Sequence, residues 1–142
     1  SQSMRDFGVR MKLNPVKELL AGKDIIIIED SIIRGTTAKN RIKALREIGV
    51  KEIHMRISCP PHRFPCYYGI DFSTKGELIA ASMSLAEMKD FIGLDSIHYL
   101  SLEGLLSATT SGDPSGKNFC KACFDGCYPV AADKGLSKQC LE

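Results

Sequence analysis

At 142 residues, 44% of them hydrophobic and 25% charged, the chain has the composition of a globular protein with room for one sizeable core. Its formal net charge of +2 comes from scattered basic residues, which excludes the strong basic excess or stripe of a nucleic-acid face. No apolar run approaches the roughly 18 residues of a membrane span, and six cysteines amid long buried-strand patterns fit metal-binding thiolates in a reduced cytoplasm better than a secreted disulfide scaffold.

Residues 1–13 contain Arg5, Arg10 and Lys12 with little periodicity and read as a loop or frayed terminus. Asn14 and Pro15 open a short helix, VKELLAG, that Gly22 closes. Residues 25–28 are four isoleucines without alternation, the pattern of a strand covered on both faces within a parallel sheet. Glu29 and Asp30 follow at its carboxyl end, where open α/β sheets bind their ligands. The turn after them supplies Ser31, Arg34, Gly35, Thr36 and Thr37 just before a helical stretch, so amides, hydroxyls and the positive helix end can converge on a phosphate. Two adjacent carboxylates suit ribose hydroxyls, or Mg²⁺ held jointly with a diphosphate.

Residues 37–48 place Ile42, Leu45 and Ile48 at helical spacing with basic residues outward, and Gly49 ends the helix. Residues 51–58 alternate Ile53, Met55 and Ile57, so residues 25–58 form a right-handed βαβ unit. The proline-rich stretch 59–76 is a long loop of the kind that carries function; within it His62 reads as solvent-exposed, and Tyr67 and Tyr68 as packing the loop on the sheet. Ser84 and Glu87 form a capping box for a helix through Ile92 that Gly93 ends. A strand at 97–100, with His98 in it as His54 is in the preceding one, and a helix at 102–106 complete the pattern. TTSGDPSGKN is a linker by composition, and a cysteine-rich tail follows. Cys120 and Cys123 can direct two thiolates at one metal, a spacing shared by zinc, redox and cluster sites; Cys59, Cys127 and Cys140 read as incidental thiols, with Cys127 near enough in sequence to substitute as a ligand.

The run IIIIEDSIIRGTT resembles the phosphoribosylpyrophosphate-binding motif of type I phosphoribosyltransferases. With the upstream SMRDFGVRMKLNP, and FPCYYGID and CKAC downstream, residues 1–130 resemble the glutamine phosphoribosylpyrophosphate amidotransferases of the iron-sulfur subclass. The resemblance implies an α/β fold, a parallel sheet with flanking helices: residues 1–107 as the carboxyl-terminal half of a phosphoribosyltransferase domain, and 108–142 as linker and cysteine-rich tail. It implies an enzyme that makes 5-phosphoribosylamine from phosphoribosylpyrophosphate, with ammonia from glutamine released in a glutaminase domain outside this chain. The piece alone would be inactive, purine nucleotides would inhibit the parent, and exposed sheet edges favour a homo-oligomer.

Carried onto this chain, Glu29 and Asp30 would hold the ribose hydroxyls and Mg²⁺, Ser31 and Arg34 to Thr37 the 5-phosphate, and Arg10 and Lys12 the closing loop. Glu29 departs from the commoner double aspartate. Cys66, Cys120 and Cys123 would hold a 4Fe-4S cluster whose fourth ligand lies upstream, serving to staple the tail; zinc is the alternative. A phosphoribosylpyrophosphate-sensing regulator and a noncatalytic metal-binding module are the competing functional readings.

Overall fold

The structure, a computed structural model, describes residues 15–70, 74–109 and 119–130. Three parallel strands, β1 (Asp24–Glu29), β2 (Glu52–Ile57) and β3 (Ser96–Tyr99), form one sheet in the order β1-β2-β3. The register sets Ile25 beside Ile53 and Ile27 beside Met55, with Met55 in turn beside Ile97. Short α1 (Lys17–Leu20) precedes β1, and α2 (Thr36–Glu47) crosses from β1 to β2. A 3₁₀ turn (Lys75–Glu77), α3 (Ile79–Ser82) and α4 (Leu85–Ile92) lead into β3; α5 (Leu102–Thr109) and α6 (Ala122–Asp125) follow.

One face of the sheet carries the core. Ile53, Met55, Ile57 and Ile97 pack with Ala38, Ile42 and Leu45 of α2 and Met88 and Ile92 of α4. Full burial of side chains of this size contributes on the order of 1.5–3 kcal/mol each. The two-sided cover expected for the isoleucine run is not what the described residues show. β1 alternates in burial, and Ile26 and Ile28 are 63% and 68% exposed. Ile25 and Ile27 pack against the cluster that holds the α2 and α4 side chains, and Ile26 and Ile28 alternate away from it.

The helix boundaries follow local chemistry. α4 carries the full capping box: the Ser84 hydroxyl accepts from Glu87 N and the Glu87 carboxylate accepts from Ser84 N at 2.7 Å, and Gly93 closes the helix at φ 89°. α1 starts at Lys17 instead of Pro15, with Val16 in extended conformation before it. α5 runs to Thr109, longer than its sequence pattern suggested. Neither the 3₁₀ turn nor four-residue α3 is legible as a period, because neither completes two turns. Among the described residues no helix is long and apolar enough to cross a membrane.

Candidate phosphate and acidic site

β1 delivers Glu29 and Asp30 to the carboxyl edge of the sheet, and the chain turns through Ser31–Gly35 into α2. Gly35 is the N-cap residue, at φ 74°, and offers no side-chain acceptor. The N-cap position of this twelve-residue helix therefore supplies no hydroxyl or carboxylate to the first amides, which carry the positive end of the helix dipole. A β-carbon at Gly35 would sit 2.7 Å from Ile79 Cδ1, and the left-handed backbone disfavours any other residue as well. Thr36 and Thr37 are exposed beside this opening.

The two carboxylates differ. Glu29 is half-buried, and its Oε1 is ion-paired with Arg41 of α2. Asp30 is exposed; its Oδ1 accepts a hydrogen bond from Ser31 Oγ at 3.2 Å. The end of β1 is held by Ser58, whose backbone N–H donates to Glu29 O at 2.9 Å. Arg34 is exposed, and its Nη2 donates to Glu77 Oε1 at 2.5 Å. Neither Arg41 nor Glu77 was marked out by sequence, since each is one charged residue among many until the fold brings it to the turn.

A second cluster lies beside the first, where the 59–68 loop meets the tail. Arg63 N and Phe64 N both donate to Cys123 O, at 3.0 and 3.1 Å, and Tyr128 Oη donates to Pro65 O at 2.7 Å. His62, expected to be exposed, is 8% exposed: its ring packs on Phe124 at 4.8 Å between centroids. Tyr67 and Tyr68, expected to pack on the sheet, meet the Tyr128 ring of the tail, tilted at 5.1 Å and edge-on at 6.2 Å between centroids, and Tyr68 Oη donates to Val130 O at 2.6 Å. Both corrections have one cause: residues about 60 positions downstream fold back onto this loop, which no local pattern encodes.

The thiols gather here. Burial pushes Cys123 up to about 11, helped by the neighbouring Cys66 and Cys120. Burial likewise raises Cys59 to about 11, with the Asp30 charge and Cys123 adding to it. Burial lowers His62, opposed by Asp30. The acidic turn and the cysteine cluster are therefore electrostatic neighbours. Tyr68 N–H points to Cys66 Sγ at 3.5 Å. Among the described residues no three His, Cys, Asp or Glu side chains converge on one metal-ion position. Arg10, Lys12 and Cys140 lie outside the described residues.

No family model matches the chain. It is 52% identical over 141 residues to an amidophosphoribosyltransferase of Synechococcus elongatus, covering 99% of this chain and 28% of that protein. A solved glutamine phosphoribosylpyrophosphate amidotransferase from B. subtilis, complexed with ADP and GMP, superposes with a TM-score of 0.80 at 42% identity, over 100% of this chain and 31% of that one. A structure described as the allosteric regulatory enzyme of purine biosynthesis gives a TM-score of 0.78 at 44% identity, over 95% of this chain and 29% of its own. The chain thus spans under a third of the length of the proteins it matches, and it belongs, as a segment of that extent, to the amidophosphoribosyltransferase family.

Proposed function

We propose that the chain works as the phosphoribosylpyrophosphate-binding segment of a longer, cytoplasmic amidophosphoribosyltransferase. The observation that carries the reading is the uncapped amino terminus of α2 behind Gly35, next to an exposed carboxylate at the end of β1. That pairing suits a sugar that bears a phosphate at one end and a diphosphate at the other.

In this reading the amides of residues 34–37 and the hydroxyls of Ser31, Thr36 and Thr37 take the 5-phosphate. Asp30, exposed beside them, receives the ribose hydroxyls. Glu29, already paired with Arg41, sets the position of Asp30 and adds its remaining oxygen to the ribose side. Hard carboxylate oxygens at the edge of the crevice fit Mg²⁺, which takes one or two carboxylates along with substrate phosphates. When bound, the ion would offset charge on the departing diphosphate. The reaction itself replaces the C1–diphosphate bond by a C1–N bond to ammonia, so fixed charges around C1 and the leaving group lower the barrier. Arg10 and Lys12 would belong to a segment that closes over the substrate and excludes water. Ammonia would come from glutamine in a domain outside this chain. The ADP and GMP of the B. subtilis structure support purine nucleotides as inhibitors, and a homo-oligomer remains part of this proposal.

The tail cysteines fit a multinuclear cluster. Cys66 and Cys120 are electrostatic neighbours of the Cys123 thiol. In a 4Fe-4S cluster each thiolate would bind a separate iron atom, and a tetrahedral zinc site is the alternative. Cys66, Cys120 and Cys123 would be the ligands from this chain, with Tyr68 N–H directed at the Cys66 sulfur. The cluster would fix the tail on the 59–68 loop.

The test is turnover by the full-length protein. Diphosphate release should require phosphoribosylpyrophosphate, Mg²⁺ and either glutamine or ammonia. Binding of phosphoribosylpyrophosphate without any amine-dependent release would favour a sensing role instead.

A further inference from the structure

The back of the phosphate turn is braced by a segment that local sequence patterns pass over. Four contacts converge there. The Ile79 backbone N–H donates to Ile33 O at 2.9 Å. Ile79 Cδ1 lies 2.7 Å from where a β-carbon of Gly35 would be, with the Phe91 ring next to it at 3.4 Å. Lys39, in the first turn of α2, sits over the same Phe91 ring at 4.1 Å from its centroid. Arg34 Nη2 binds Glu77 Oε1, from the 3₁₀ turn immediately before α3.

The direction of Arg34 is informative. A guanidinium in a phosphate turn would ordinarily be counted as a phosphate ligand, since its planar fork matches the anion. Here it is engaged by a carboxylate 43 residues downstream. A carboxylate near a phosphate-binding turn would repel the ligand unless a cation offset its charge, and Arg34 is ion-paired with Glu77.

We infer that Glu77 is a positioning residue for phosphoribosylpyrophosphate: through Arg34 it holds the 31–37 turn in the conformation that presents its amides, and Arg34 serves as the strut of this brace. This rests on the functional reading above for its substrate. The brace itself is a property of the turn and is measurable without substrate.

The experiment uses the full-length protein with Glu77→Gln, Arg34→Glu and the double charge exchange Arg34→Glu with Glu77→Arg. Amide hydrogen exchange across residues 31–37, with no ligand present, reads the brace. KM for phosphoribosylpyrophosphate, kcat and KM for glutamine read its consequence. Glu77→Gln should speed exchange in the turn and raise KM for phosphoribosylpyrophosphate about fivefold, the upper end for a partly exposed ion pair, while the glutamine KM stays unchanged. The double exchange should return amide exchange in the ligand-free turn to within about twofold of the parent, since it restores the pair with its polarity reversed, while KM for phosphoribosylpyrophosphate stays raised because the new carboxylate stands on the turn itself.

Turn exchange in the double variant as fast as in Arg34→Glu alone would show that the pair does not brace the turn and would overturn the inference. So would unchanged exchange and KM in Glu77→Gln. If the parent protein fails to use phosphoribosylpyrophosphate at all, the functional reading falls, and turn exchange in the three variants still decides the brace.

Discussion

Asp95 Oδ2 accepts hydrogen bonds from Arg46 Nη2 and from the Ile53 backbone N–H, both at 2.6 Å. Arg46 also donates to Lys51 O at 2.6 Å and Gly93 O at 3.2 Å. One ion pair therefore ties the end of α2, the start of β2 and the entry to β3 at the edge of the sheet opposite the phosphate turn.

This bracket predicts an acid-sensitive contribution. The backbone bond from Ile53, followed by the Arg46 guanidinium, holds the Asp95 carboxyl below its ordinary value. The stabilisation is present above the unfolded carboxyl range, near pH 4, and fades as pH falls through the depressed folded value. Because the side chain is partly exposed, Asp95→Ala should cost only about 1–2 kcal/mol at neutral pH. Urea unfolding at pH 7 and below pH 3 should show the difference between variant and parent shrinking at the lower pH.

Gly35→Ala tests the turn sterically. The new methyl would stand 2.7 Å from Ile79 Cδ1 on a residue at φ 74°. A loss of about 1–3 kcal/mol is expected from the left-handed backbone, with added displacement of the Ile79 side chain. Thermal unfolding measures the first effect. Weaker phosphoribosylpyrophosphate binding in the still-folded protein measures the second.

Phe124→Ala should release the tail from the loop while leaving the sheet intact, because Phe124 packs on His62 outside the sheet core. Its readout is hydrogen exchange. The amides of Arg63 and Phe64, which donate to Cys123 O, should exchange faster, and those of β2 should not.

Replacing a thiol tests the cluster reading. Cys123→Ser should remove most of the iron and sulfide from protein purified without air, whereas Cys127→Ser should leave both in place. Retained iron in Cys123→Ser, or stoichiometric zinc in the parent, would argue against a 4Fe-4S group.

Much of the site was legible because its signals are local. The isoleucine run, the acidic pair and the glycine before α2 lie within thirteen consecutive residues, and the Ser84 and Glu87 box marks α4 within four. What escaped depends on distant chain. Four isoleucines report that a strand is apolar, but not which faces are covered, and Ile26 and Ile28 show the difference. His62 sits among prolines that suggest exposure, until Phe124 closes over it. Arg34 belongs to a phosphate motif by position, yet it pairs with Glu77, in the 3₁₀ turn beyond α2 and β2.

Binding of phosphoribosylpyrophosphate at the turn after β1, as proposed, depends on Asp30 and the amino terminus of α2. Calorimetric titration of the full-length protein with phosphoribosylpyrophosphate and Mg²⁺, beside an Asp30→Asn variant matched in folding by circular dichroism, addresses it directly. Saturable heat is expected in the parent and affinity reduced at least about tenfold in the variant, the scale of one lost charged hydrogen-bonding partner. Equal binding by both proteins, or none by a well-folded parent, would contradict it.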